Sequence, residues 1–218
     1  MLELDLQFGA TRGDGDAGNR LVLPDFEIDL GLTPNVELDV DGAFSLDRYD
    51  TPTRRFTGEA LWTAVKLGFF DTRNDAGTRS FALGAQIGPR IATVGDTRGV
   101  GYGALALVGF NDRRTHWVLN SGAFLDPGPE ITRGQQKSVV AGLDFSLDLD
   151  RRSVWSLDTE LAFAHYLSPD PDEATGSLGA AFDPTGRLEV SLTALVGFLP
   201  GYDRFALLVG VTPCLDLF

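Results

Sequence analysis

Hydrophobic and polar positions alternate with a period of two through segment after segment of roughly ten to twelve residues, and helical i, i+3, i+4 spacing is hard to find. One segment shows it best: Val36, Leu38, Val40, Phe44 and Leu46 fall on one face, and Glu37, Asp39, Asp41 and Ser45 on the other. Upstream, Leu2, Leu4, Leu6 and Phe8 oppose Glu3, Asp5 and Gln7, and Val22, Phe26, Ile28 and Leu30 oppose Asp25, Glu27 and Asp29. Downstream, Val139, Leu143, Phe145 and Leu147 oppose Ser138, Asp144, Ser146 and Asp148. Leu188, Val190, Leu192, Val196 and Phe198 likewise oppose Glu189, Ser191, Thr193 and Gly197. Strands of lower contrast are predicted around residues 59–70, 80–91, 115–125, 154–166, 177–182 and 204–217, and residues 101–110 are apolar or small on both faces. The chain reads as all-β, one domain over residues 1–218, with about twelve antiparallel strands in up-and-down order.

The connections carry a second signal. Tight turns are predicted at residues 33–35, 111–114, 150–152 and 183–186, which supply the Pro, Asn, Asp and Gly that such turns need. Longer polar loops fall between them, at residues 12–19, 47–57, 92–99, 126–136 and 167–175. Short turns at one end and long loops at the other is the habit of outer-membrane barrels. Two connections depart from it, since residues 71–78 are long for a turn and residues 200–203 short for an outer loop.

Alternation alone fits three architectures: a soluble barrel, a two-sheet sandwich around an apolar core, or a membrane barrel with its apolar side toward lipid. The polar face decides between them. It mixes acids with small residues (Ala60, Ala64, Gly68, Ala82, Gly84, Gly88, Gly142, Ala162), and the chain holds only two lysines, Lys66 and Lys137, where a solvated outer surface is normally lysine-rich. About eight strands suffice for a packed interior, so about twelve enclose more space than side chains fill. Aromatic residues near the predicted strand ends, Phe8, Phe69, Tyr102, Trp117, Trp155 and Tyr202, suit interfacial girdles. The fold expected is a transmembrane β-barrel in a bacterial outer membrane, acids inward, with lipid and lipopolysaccharide around it and the outer-membrane assembly machinery as a partner.

Charge narrows the function. Lys and Arg number 18 against 31 Asp and Glu, a net charge of −13, which argues against nucleic acid. The start, Met1-Leu2-Glu3-Leu4-Asp5, lacks the basic and apolar regions of a signal peptide, so an exported protein is read here in its mature form. Cys214 is the lone cysteine and forms no internal disulfide. The candidate site is an acidic wall of Glu3, Asp5, Asp25, Glu27, Asp29, Glu37, Asp39 and Asp41 on three consecutive strands. A second stretch holds Asp144, Asp148, Asp158, Glu160 and Glu189, and Lys66 and Arg90 are the bases on the same side. In a water-filled lumen such charge concentrates cations and repels anions. In the alternative reading the same acids only keep the interior hydrated, partly paired with arginines from the loops.

Other chemistry is weaker. His116 and Asn120 share a strand face but Ser121 points away, so no nucleophile and base meet and no enzyme is expected. His165 falls on the opposite strand face near a rim. Residues 14–19 space oxygen ligands as calcium loops do but lack the terminal Glu, and read as a polar outer loop. Residues 168–173 form another acidic loop, able to collect divalent ions that bridge lipopolysaccharide. No phosphate loop, His/Cys metal spacing or dinucleotide fingerprint is present, so no cofactor and no protein-bound metal are expected.

Short motifs add a family reading. The run Gly31-Leu32-Thr33-Pro34-Asn35-Val36-Glu37-Leu38 resembles the strand-turn-strand signature of the outer-membrane β-barrel porins linked to the meta-pathway of phenol degradation. Asn120-Ser121-Gly122-Ala123-Phe124, Leu157-Asp158-Thr159-Glu160-Leu161 and the hairpin ending Leu207-Leu208-Val209-Gly210-Val211-Thr212 resemble later strands of that family in the same order. Residues 213–218 run past the family's usual ending, though Phe218 suits its terminal aromatic. The resemblance implies passive transport of small solutes, aromatic or hydrophobic ones among them. Together these readings point to a diffusion channel with an acidic, cation-preferring lumen. The alternatives are a plugged or narrow barrel acting as a structural or adhesion protein through its outer loops, and a soluble β-barrel binding an apolar ligand.

Overall fold

A computed structural model describes residues 1–13, 19–48, 55–74, 78–93, 97–129, 136–150, 152–199 and 203–215. Twelve strands form one closed ring. They are β1 (Leu2–Arg12), β2 (Asn19–Thr33), β3 (Val36–Asp47), β4 (Leu61–Arg73), β5 (Arg79–Ile91) and β6 (Val100–Asp112), then β7 (Thr115–Asp126), β8 (Gln136–Asp148), β9 (Trp155–Tyr166), β10 (Glu173–Phe182), β11 (Leu188–Gly197) and β12 (Phe205–Leu215). Each pairs antiparallel with its chain neighbour, and β12 returns to β1 with Leu2 opposite Leu215 and Arg12 opposite Phe205, so the sheet has no free edge.

The apolar faces of these strands look outward. Among the described residues the buried apolar side chains are Trp62, Ala64, Ala181 and Ala206 alone, while Leu178 (62% exposed), Ile87 (56%), Leu161 (53%) and Leu192 (52%) stand on the outer surface. Among the described residues the largest side chain that is completely buried is an acid, Asp39. That is an inside-out protein, the arrangement lipid requires and water forbids. Phe8, Phe69, Tyr102, Trp117 and Trp155 are all exposed. Trp117 packs on Phe145 at 4.3 Å and Trp155 on Phe182 at 4.5 Å between ring centroids. Tyr202, Phe218 and residues 14–18 of the candidate calcium-like loop lie outside the described residues.

Local irregularities correct the strand reading in four places. A β-bulge between Val22 and Asp25 re-phases β2, so Val22, opposite Ser45, lies on the inner side with Arg20, and Leu21, opposite Leu46, lies outside. Val22 was expected among the outward residues; the one extra residue within Leu23-Pro24 shifts the parity. Residues 55–58, expected in a loop, form a short strand on the end of β3, held by Phe44 stacked on Phe56 (5.8 Å) and by Thr57 Oγ1 donating to Asp47 Oδ2 (3.0 Å). Strand β4 continues through Asp71–Arg73 after a bulge between Gly68 and Phe70, which turns the long connection into an ordinary one closed by Asn74, whose Oδ1 accepts the N–H groups of Thr78 (2.8 Å) and Arg79 (3.0 Å). Strand β10 begins at Glu173, inside the stretch expected as a loop, because Ala164 of β9 pairs with it. At the loop end, residues 97–98 also pair with residues 128–129.

The turns are built as their residues suggest. Asp183 Oδ1 accepts the N–H groups of Thr185 (3.1 Å) and Gly186 (2.7 Å), and Gly186 takes the left-handed backbone (φ +69°) that closes the β10–β11 hairpin. In the β8–β9 turn Asp150 accepts N–H from Arg152 (2.7 Å) and Trp155 (2.9 Å).

Two outcomes follow. Replacing Leu192 by Arg at mid-strand on the lipid face should destabilise the barrel by about 2–4 kcal/mol in urea-driven unfolding from lipid vesicles, and replacing its inward neighbour Thr193 by Lys should cost less than about 1 kcal/mol; a soluble barrel would reverse the order. The backbone N–H of Arg152, then that of Trp155, hold the Asp150 carboxyl below the ordinary carboxylate range. Its contribution to the turn is therefore present above the unfolded value near ~4 and is lost as pH falls through the lower folded value. Amide-exchange protection at Arg152 and Trp155 should fall with acidification in that window, and Asp150→Ala should remove the dependence.

Candidate functional site in the barrel interior

The inward positions of β2, β3 and β4 bring four carboxylates onto one ammonium. Register sets Asp29 opposite Asp39 and Glu37 opposite Lys66. Like charges directly opposite on a sheet repel. Lys66 Nζ offsets this by standing 2.7 Å from Asp39 Oδ2, 2.8 Å from Asp29 Oδ1, 3.1 Å from Glu27 Oε1 and 3.3 Å from Glu37 Oε1. Gln86 of β5 adds a hydrogen bond, its Nε2 donating to Asp39 Oδ2 (2.9 Å). Asp39 lies opposite Ala64, a small residue that leaves room for the ammonium beside it.

Arg90, the other predicted base, is not part of that cluster. It lies at the loop end of β5, ion-paired to Asp126 of β7 and stacked over the Phe124 ring (4.5 Å from guanidinium carbon to centroid). Trp62 of β4 meets Phe124 edge-on at 5.0 Å, is only 4% exposed, and donates its Nε1–H to the carbonyl of Gly88 (3.2 Å). Trp62 and Phe124 thus meet inside the barrel at this level, where Gly88 and Gly103 offer no side chain of their own.

The remaining predicted residues are spread round the inner wall. Asp5 accepts from Thr212 Oγ1 (3.0 Å) and Gln7 Nε2 (3.0 Å), and Asp25 faces Glu59 and Asp41 across a small cavity. Glu3 sits opposite Asp29 and Cys214, and Glu189 opposite Thr212. On the far wall Asp144 lies directly opposite Glu160, and Asp158 opposite Ser146. Asn120 Nδ2 reaches Asp144 Oδ2 at 3.4 Å, Ser156 Oγ donates to Asp158 (2.9 Å), and Ser153 Oγ donates to Asp148 (2.7 Å). His116 bonds to Asn111 (3.0 Å) with Nε2 3.7 Å from Asp148. Ser121 is on the outside, donating to the Val140 carbonyl (3.1 Å), so it does not meet His116 or Asn120. His165 is also outside and pairs with Asp172 (2.9 Å).

Sequence reasoning missed Trp62, Phe124, Asp126, Gln86 and Glu59 as interior groups. The signal for Trp62 was in the numbering, since it shares parity with Ala64 and Lys66. Its apolar character suggested a lipid-facing residue instead.

Among solved structures the chain resembles the KdgM porin over 98% of its own length and 99% of that chain (TM-score 0.58, 9% identity). It also resembles the outer membrane phospholipase A from Escherichia coli over 99% and 91% (TM-score 0.63, 12% identity). The translocator domain of the autotransporter NalP from Neisseria meningitidis covers 98% and 88% (TM-score 0.51, 14% identity). No protein-family model matches the chain. No curated protein matches it either. At these identities the likeness carries the fold, that of bacterial outer-membrane β-barrels, porin-like in form.

Lys66 is the group on which the β2–β3 wall depends. Lys66→Met leaves Glu27, Asp29, Glu37 and Asp39 together without their counter-charge, and should cost about 3–5 kcal/mol in the same unfolding measurement. Lys66→Arg should recover most of that loss.

Proposed function

We propose that this protein is a non-enzymatic outer-membrane channel for passive diffusion of small solutes, with an acidic interior that prefers cations. The observation that carries the reading is the inner wall itself: acids recur on strand after strand, and the inward bases Lys66, Arg90 and, toward the loop end, Arg20 are each held in ion pairs. A diffusing anion meets net negative charge and, among the described residues, no inward base outside an ion pair at mid-barrel, while a cation is concentrated. On this reading Glu3, Asp5, Asp25, Glu27, Asp29, Glu37, Asp39, Asp41, Asp144, Asp148, Asp158, Glu160 and Glu189 tune what enters. Lipopolysaccharide surrounds the loop end, and the outer-membrane assembly machinery inserts the barrel. The association with phenol meta-pathway porins belongs to the same proposal and rests on the short strand motifs.

The inward packing of Trp62 against Phe124 favours one second reading, a barrel too narrow to conduct that serves a structural role. Planar-bilayer recording separates the two. The channel reading expects stepwise conductance, with reversal potentials that favour cations in dilute salt and lose that preference near 1 M, where the screening length shrinks to about 3 Å. Replacing Asp25, Asp29, Asp39 and Asp41 by Asn should lower the cation preference several-fold. Insertion without current would leave the structural reading standing.

A further inference from the structure

The interior is not one uniform acidic lumen. On the side of β2 to β5 four carboxylates converge on Lys66 and Trp62 is buried inside the barrel, while Asp25, Asp41 and Glu59 line a smaller cavity. A larger void, a cavity of about 640 Å³, lies against β6 to β12 and the facing parts of β1 and β2. That volume lies within the range of small-molecule sites.

Its lining combines two chemistries that seldom meet in a water-filled pore. Leu105, Val118, Phe124, Leu195 and Leu208 line it on strands whose outward residues are apolar as well. Lipid contact explains the outward set but gives no reason for the inward one. Leu105 comes from residues 101–110, the stretch that is apolar or small on both faces. Beside it stand Asp25, Asp144 and Glu160. Asp144 and Glu160 are directly opposite each other, a repulsive placement, and Asn120 is the one side chain bonded to either. Among the described residues no Lys or Arg pairs with these three acids.

We infer that this cavity binds small organic cations, a primary ammonium carried on an apolar body of about aromatic size, and the inference deepens the channel reading above. An ammonium between Asp144 and Glu160 relieves their repulsion, while the body of the solute covers apolar wall that water solvates poorly. An inorganic cation meets only the first requirement and a neutral aromatic only the second. An anion meets neither.

The test is calorimetric titration of the full chain in detergent micelles with 2-phenylethylammonium, 2-phenylethanol and methylammonium, each corrected against protein-free micelles. Saturable one-to-one binding of the aromatic amine is expected, at least about tenfold tighter than either comparison compound. The triple variant D25N/D144N/E160Q should weaken it by a similar factor while keeping the heat-modifiable gel migration of a folded barrel. No saturable binding, equal binding of methylammonium or of the alcohol, or an unchanged affinity in a folded triple variant would overturn the inference. The comparison of ligands on the unaltered protein decides the matter even if the variant fails to fold. Bilayer recording keeps the two readings apart: amine binding by an electrically silent barrel retires the channel and keeps the site, and conduction without amine binding does the reverse.

Discussion

In a bilayer a backbone N–H or C=O without a partner costs several kcal/mol, and a closed ring of strands is the β arrangement that leaves none of them on an edge. Here the β12–β1 pairing completes that ring. Closure turns strand parity into an inside and an outside, so a single extra residue exchanges the two environments for everything beyond it. The bulges between Val22 and Asp25 and between Gly68 and Phe70 sit where the apolar pattern slips. The first returns Asp25, Glu27 and Asp29 to the interior, and the second keeps Phe69 and Phe70 both exposed to the outside.

Parity has an electrostatic consequence. When neighbouring strands both alternate with acids, the ring sets acid opposite acid, as at Asp29 and Asp39, Glu27 and Asp41, and Asp144 and Glu160. The barrel answers this in two ways. Between β2 and β4 a single lysine, reached from the next strand over, gathers four carboxylates and so converts repulsion into a cross-link. Between β8 and β9, among the described residues, no base intervenes, and the acids stand against open space. The first arrangement holds neighbouring strands together, and the second leaves charge available to whatever enters.

Much of this was legible in the order of residues, and the limits have physical causes. Alternation and turn chemistry give all twelve barrel strands to within a few residues, because a period of two bounded by Pro, Asn, Asp and Gly has few other meanings. The inward placement of acids followed from the near absence of lysine. The grouping of those acids did not follow, because Lys66 bonds diagonally across two strands and a linear sequence does not display diagonal neighbours. Val22 was misassigned because a bulge leaves no mark in an apolar pattern already apolar on both sides of it. Trp62 was missed because an indole inside a polar barrel contradicts the usual rule; what admits it are glycines 88 and 103, on strands one and two places away.

Those same glycines explain why the free charge lies where it does. Without side chains at Gly88 and Gly103, the inner wall there is thin enough for Trp62 and Phe124 to meet across it, and they displace the solvent that would otherwise separate the walls. The space they consume adjoins the wall whose four carboxylates converge on Lys66. The larger opening lies on the opposite side, lined by Asp144 and Glu160, which pair with no Lys or Arg among the described residues, and by inward apolar side chains. The number of acids on the inner face is therefore a poor guide to how much charge packing leaves unpaired.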